Sequence, residues 1–182
     1  MDDYKFCPHC GSNLSTIRIE AMVRPQCPGC KKIIYYDPKL AAATVVEKDG
    51  LFLMIKRAIQ PQLGLWGFPG GYVDRGEVVE NAAAREVLEE TGLIVKITRN
   101  LGVFSEQGNP VILAAFAGIQ VGGELKVGDE VADIGFFSPD KFPPLAFPRD
   151  MQVLASWKDT SVSVSYTHLR AHETLRYLVC RL

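Results

Sequence analysis

The densest group of reactive side chains in this sequence is a run of carboxylates, Glu86, Glu89 and Glu90, with Arg85 directly before it. The segment Glu77 to Thr91 reads as one helix closed by Gly92, a residue suited to the left-handed backbone that follows a helix. On a helical wheel Glu86 and Glu90 lie about 40° apart, and Glu89 about 60° from Glu86, so three carboxylates share one stripe. Ala84, Val87, Leu88 and Thr91 take the other side, which is expected to face the core. Like charges at these spacings repel by roughly 0.2–0.5 kcal/mol per pair. A merely solvated face would interleave lysines, and none occurs from Glu77 to Leu93. A hard divalent cation, Mg²⁺ or Mn²⁺, held through oxygen turns that repulsion into binding.

A second group is built from sulfur. Cys7-Pro8-His9-Cys10 and Cys27-Pro28-Gly29-Cys30 form C-x2-C-x16-C-x2-C, the spacing of a zinc ribbon. Gly11 supplies the permissive backbone that such a turn needs. Two disulfides are the competing reading, and a reducing compartment disfavours them. With four cysteines the zinc site is closed, leaving no position for catalysis, and His9 is expected to face solvent. Residues 1–36 are too few to bury a sufficient core, so zinc is expected to supply most of their folding energy. Ile17, Ile19, Met22 and Val23 are candidates for its short strands.

These clusters sit in a chain of 182 residues, enough for one domain and a small appendage, with 47% hydrophobic residues. Lys and Arg number 20 against 21 Asp and Glu, so no basic excess points to nucleic acid or an anionic membrane. The longest apolar runs, such as Val111 to Ala117, fall far short of a membrane span, and the first residues lack a signal pattern. A cytoplasmic protein is expected. Residues 164–182, from Val164-Ser165-Tyr166 to Cys180-Arg181-Leu182, resemble the translation of a sequencing-library adapter. His168, His172, Glu173 and Cys180 are therefore read as foreign to the natural protein, and 161–182 as a non-native tail. Setting that tail aside leaves 17 basic and 20 acidic residues.

Between the clusters, Ala41–Lys48 and Leu51–Arg57 read as strands joined by Asp49-Gly50, a strong two-residue hairpin signal. A loop from Ala58 to Leu65 leads into a Gly-rich aromatic bend, Trp66 to Tyr72, and Ile134–Phe137 reads as the last strand. Gly71-x5-Glu77-x7-Arg85-Glu86-Val87-Leu88-Glu89-Glu90-Thr91-Gly92-Leu93 resembles a complete Nudix box, GX5EX7REUXEEXGU, with every fixed position filled. The resemblance to Nudix hydrolases spans roughly Pro38 to Asp159, and the cysteines add a resemblance to zinc-ribbon Nudix proteins. One such subfamily, the NADH pyrophosphatases, carries an SQPWPFP-type motif after the box. The nearest stretch here is Pro143-Pro144-Leu145-Ala146-Phe147-Pro148, a departure from it. Tyr36-Asp37-Pro38-Lys39, Lys56 to Pro61, Gly64-Leu65-Trp66, Pro69-x-Gly71-Tyr72 and Leu145-Ala146-Phe147 resemble instead the FAD and ADP-ribose pyrophosphatases.

That resemblance implies an α+β fold, a Nudix α/β/α sandwich around a mixed sheet over 37–160, with the ribbon before it. It implies Mg²⁺- or Mn²⁺-dependent hydrolysis of a nucleoside diphosphate linked to another moiety, FAD or ADP-ribose, with NADH as an alternative. Glu86, Glu89 and Glu90, with the Gly70 carbonyl, would hold the cation. Arg85 and Glu77 would pair to orient the helix face. The general base is not fixed by the box; Glu130 is the first candidate, with Glu106 and Glu124 behind it, and a solvated loop acid is the competing reading. Trp66, Phe68, Tyr72 and Phe147 could stack on a ring, against core packing as the plainer alternative. Lys56 and Arg57 could meet phosphate or be exposed strand-end charge. A small-molecule nucleotide is the expected partner and a second copy of the chain a further candidate, because many relatives are homodimers. A Nudix fold that binds without turnover is the rival reading.

Overall fold

A computed structural model of the chain describes residues 4–159; the adapter-like tail lies outside them. Two short strands, β1 (Ser15–Ile19) and β2 (Met22–Gln26), pair antiparallel and form a sheet of their own between the two cysteine turns. Among the described residues, the strands from Lys39 onward build one seven-stranded mixed sheet. Its strands are β3 (Lys39–Lys48), β4 (Leu51–Arg57), β5 (Trp66–Gly67), β6 (Gly70–Tyr72), β7 (Leu93–Phe104), β8 (Val111–Gly123) and β9 (Val131–Phe137). The order runs β5-β4-β3-β8-β7, with β6 on β3 and β9 on β4. The β3–β8 pair is parallel and the others antiparallel.

Strand β3 is the hub, and its composition explains why. Ala41 to Val46 are all buried, so neither face is left for water. Ala41, Ala43 and Val45 pack with Phe52, Leu113, Ala115, Val153 and Leu154 against helix α2 (Asp150–Lys158). Ala42 and Val46, on the opposite face, join clusters containing Ala82, Ala83 and Val87 of helix α1 (Val79–Thr91). Helix, sheet and helix form three layers, the α/β/α sandwich expected from the box. Buried Thr44 also points to α1 and donates to the Ala83 carbonyl at 3.0 Å. The Asp49-Gly50 hairpin forms with positive φ at both residues, 54° and 78°, as a two-residue turn between twisted strands requires.

Helix α1 departs from the wheel in three respects. It begins at Val79, and Glu77 lies in the preceding turn. Leu88, expected in the core, is 47% exposed, whereas Ala82 and Ala83 are fully covered. Small alanines let the helix approach β3 closely, and this rotates the buried stripe toward Ala82, Ala83 and Val87. The same rotation carries Glu90 inward, leaving it only 8% exposed. Gly92 closes the helix at φ 72°, its N–H donating to the Leu88 carbonyl at 2.9 Å. Among the described residues no helix is long and apolar enough to cross a membrane.

Candidate active site

Helix α1, strand β6 and the loop before β9 enclose one side of a cleft of about 470 Å³ that Glu86, Glu89, Glu90 and Arg85 line. Strand β6 lies on β3 through Ala43↔Gly70, Ala42↔Gly71 and Ala41↔Tyr72, which brings its backbone under the helix. The Gly70 N–H donates to Glu90 Oε2 at 2.8 Å. A Cβ on Gly71 would sit 2.5–2.6 Å from the Glu86 carboxylate, so glycine is what allows that carboxylate to rest on the strand.

Arg85 organises the group. Its Nε and Nη2 grip the two oxygens of Glu77 at 2.8 and 2.9 Å. Nη1 reaches Glu86 at 2.7 Å and Glu89 at 2.9 Å, and Nη2 also meets the Tyr72 carbonyl at 3.1 Å. The expected Glu77–Arg85 pair is thus a bidentate fork, and it leaves the second guanidinium edge for the cleft glutamates. Arg85 and the Asp74 N–H hold the Glu77 carboxyl down at about 2. Glu86 and Glu90 go the other way. Burial pushes Glu90 up to about 8 despite the Gly70 N–H, and the charges of Glu86 and Glu130 add to the rise. Burial also raises Glu86 against the pull of Arg85. Two carboxylates deprived of water, with oxygen as the only donor atom, fit a hard cation: a nearby positive charge would favour the ionised forms that burial disfavours.

Glu130 lines the same cleft, whereas Glu106 and Glu124 do not. Its loop is tied to the end of α1: the Lys126 N–H donates to the Thr91 carbonyl at 2.9 Å and the Gly128 N–H to the Glu90 carbonyl at 3.1 Å. Arg57, Phe68, Tyr72 and Phe147 also line the cleft. Phe68 is buried and stacks edge-on with Phe142, so it forms floor. Tyr72 is half exposed, with the Lys39 ammonium 4.7 Å from its ring centre. Trp66 and Lys56 are not among the lining residues; Trp66 instead packs edge-on against Phe137.

Two lining residues escaped the sequence reading, Arg149 and Asp150 at the start of α2. They are 8% and 5% exposed. Arg149 lies 5.0 Å and Arg57 5.5 Å from the centre of the Phe147 ring. Burial lifts the Asp150 carboxyl to about 7 even though Arg149 and Arg57 oppose it. The signal available was two opposite charges right after Phe147-Pro148, at the head of the apolar positions Val153, Leu154 and Trp157.

The sulfur cluster is separate. All four cysteine sulfurs lie within 4.8 Å of one another and none is in a disulfide. The two knuckles repeat each other: Cys7 N–H donates to Ser12 O and Gly11 N–H to Cys7 O, as Cys27 N–H does to Lys32 O and Lys31 N–H to Cys27 O. Gly11 and Lys31 both take positive φ, 74° and 63°. Hydrogen bonds from the Ser12 side chain and backbone lower the Cys10 thiol to about 6, toward the thiolate a metal needs.

The NUDIX domain family model matches residues 37–157, and the chain belongs to that family. It is 41% identical over 121 residues to the ADP-ribose pyrophosphatase of Methanocaldococcus jannaschii, covering 64% of this chain and 72% of that protein. It is 30% identical over 149 residues to the NAD-capped RNA hydrolase NudC of Chromobacterium violaceum, covering 80% of this chain but only 54% of that protein. Among solved structures, a NUDIX hydrolase from Nitrosomonas europaea superposes with a TM-score of 0.77 at 29% identity, over 83% of this chain and 88% of that one.

Proposed function

We propose that this chain is a metal-dependent Nudix hydrolase that cleaves the pyrophosphate bond of a nucleoside diphosphate linked to another moiety, ADP-ribose or FAD. The observation that carries this reading is the convergence of Glu86, Glu89 and Glu90 on one cleft, two of them ionising against burial, with every Arg85 donor committed around them. Likeness to an ADP-ribose pyrophosphatase over 72% of its length supports the substrate class.

In this reading Glu86, Glu89 and Glu90 hold Mg²⁺ or Mn²⁺, which neutralises phosphate charge and lowers the pKa of an attacking water. The chain's own work is positional. Arg85, clamped by Glu77, fixes the Glu86 and Glu89 carboxylates before substrate arrives. Glu130 faces the same space on its tethered loop and takes the proton from water. Arg57 offers its charge to the diphosphate, and Phe68 and Tyr72 wall the cleft. Cys7, Cys10, Cys27 and Cys30 hold a structural zinc that folds residues 1–36 as a unit separate from 37–160. The setting is a cytoplasmic, reducing one, consistent with unpaired thiols.

NADH is the second reading, favoured by the NudC match, which runs beyond the 121 residues of the family model. A phosphatase-coupled phosphate-release assay with ADP-ribose, FAD and NADH, run with Mg²⁺ and with chelator, tests both. Release from ADP-ribose or FAD that chelator abolishes is expected. Release from NADH alone would move the assignment to the second reading. No release from any substrate would leave a binding module.

A further inference from the structure

The near-neutral balance of the whole chain conceals a division between its two parts. Residues 4–36 hold Lys5, Arg18, Arg24, Lys31 and Lys32 against the single acid Glu20, whereas residues 37–159 hold 12 basic and 17 acidic residues. Of those five cations all but Arg24 are exposed. Exposed rings divide in the same way. Among the described residues Tyr4, Phe6, Tyr35 and Tyr36 of the ribbon are 43% to 58% exposed, and Tyr72 is the one exposed ring elsewhere. A segment this small leaves much of itself outside, but size alone does not select flat rings and cations for the outside.

The rings are held rather than loose. The register Ile17↔Arg24 and Ile19↔Met22 puts these four residues on one face of the β1–β2 pair. The Arg24 guanidinium lies 4.7 Å from the centre of the Tyr35 ring, which fixes that ring beside the same face. The next residue, Tyr36, meets Tyr4 with ring centres 5.7 Å apart and planes tilted by 31°, and its hydroxyl accepts the Tyr4 N–H at 2.9 Å. Lys31 and Lys32 precede the two tyrosines on the second cysteine turn, and Lys32 Nζ reaches His9 Nδ1 of the first at 3.2 Å. A ligand that matches this surface offers flat groups and negative charges in alternation. An acidic peptide supplies the charges without the flat groups, and a duplex hides its base faces. A single strand supplies both, its bases to the rings and its phosphates to the cations. We infer that the ribbon is a binding surface for single-stranded nucleic acid: Tyr35 and the Tyr4–Tyr36 pair stack on bases, and Lys5, Arg18, Lys31 and Lys32 meet phosphates. No residue from 4–36 lines the cleft, so this surface stands apart from the hydrolase reading.

Fluorescence anisotropy of the full chain as purified, without Mg²⁺, is the test, with labelled oligouridylate and oligothymidylate of about 12 nucleotides and a DNA duplex of equal length. A single strand of either sugar should bind about tenfold tighter than the duplex. Tyr35→Ala should weaken that binding by about tenfold, whereas Tyr35→Phe, which keeps the ring, should not. Lys31→Gln should reduce the slope of log affinity against log salt by about 0.7, the share of one phosphate contact on a single strand. Turnover of ADP-ribose should be unchanged in all three variants. If Tyr35→Ala fails to fold, the duplex comparison and the Lys31→Gln slope decide. No binding, equal binding of strand and duplex, or displacement of the strand by poly-glutamate at equal charge overturns the inference. So does a folded Tyr35→Ala that binds as the native chain does. Turnover of ADP-ribose without strand binding would refute this inference alone, and strand binding without turnover would refute the hydrolase reading alone.

Discussion

The two clusters that could hold metal are built on opposite principles. The four sulfurs hang on two turns with only the β1–β2 pair between them, and their segment leaves Tyr4, Phe6, Met22 and Val23 exposed. The three carboxylates ride on a helix already packed against β3, with an arginine neutralising them. In the first, the ion would make the structure. In the second, packing of the helix against β3 holds the carboxylates in place, and burial works against their charge. Sulfur can be gathered by a short loop because zinc returns the ordering cost, whereas a site that must stay open for substrate needs a scaffold stable on its own.

The contrast breaks most visibly if the ribbon is stripped. Structural zinc contributes about 10–16 kcal/mol in small zinc modules, so Cys27→Ser should abolish ordered structure in residues 4–36. Amide exchange would report this, and elemental analysis of the native chain should find one zinc. A disulfide in place of zinc by mass spectrometry would end the comparison. Glu86→Gln should leave folding intact and lower kcat by about 100-fold or more, equivalent to at least ~2.7 kcal/mol of barrier. Steady-state kinetics with ADP-ribose, beside a thermal melt, checks both halves.

Acidity sharpens the comparison further. Glu90 titrates near 8 in the fold and near the usual carboxylate value when unfolded, so the folded state binds more protons between those limits. Stability without metal should therefore fall as pH rises from about 4.5 toward 8. The gain in Tm on adding Mg²⁺ should accordingly be larger at pH 8.5 than at pH 6. An equal gain at both values would mean that Glu90 does not meet the cation. Glu77 has the opposite sign: held near 2 by Arg85, it stabilises above the ordinary carboxylate pKa, and that support is lost as pH falls toward 2. Gly71→Ala, which crowds the Glu86 carboxylate, should cost roughly tenfold in kcat, near the low end of what a misplaced catalytic group costs. At the bottom of the scale, Glu80→Gln changes an exposed residue in the first turn of α1, away from the cleft, and should stay within about twofold.

The sequence made α1, its Gly92 stop, the Asp49-Gly50 hairpin and both cysteine turns readable, because each is specified by residues a few positions apart. The burial of Glu90 was not readable. It depends on how closely Ala82 and Ala83 let the helix settle on β3, a contact between residues about 40 positions apart. Arg149 and Asp150 were missed for a related reason. An Arg-Asp step at a helix start looks like ordinary capping charge until α2 is folded across the sheet and buries both. Trp66 resembled a stacking residue by its place in a Gly-rich bend, but the β4–β5 pairing puts it beside Phe137.

The ties from Lys126 and Gly128 to the last turn of α1 have a consequence for how such a protein can change. These two hydrogen bonds fasten the loop that carries Glu130 to the end of the helix that carries Glu86, Glu89 and Glu90. The Phe147–Asp150 corner belongs to a different helix on the other layer of the sandwich. The cleft wall is thus assembled from both layers, and a substitution at that corner reshapes one wall without passing through the helix that carries the glutamates.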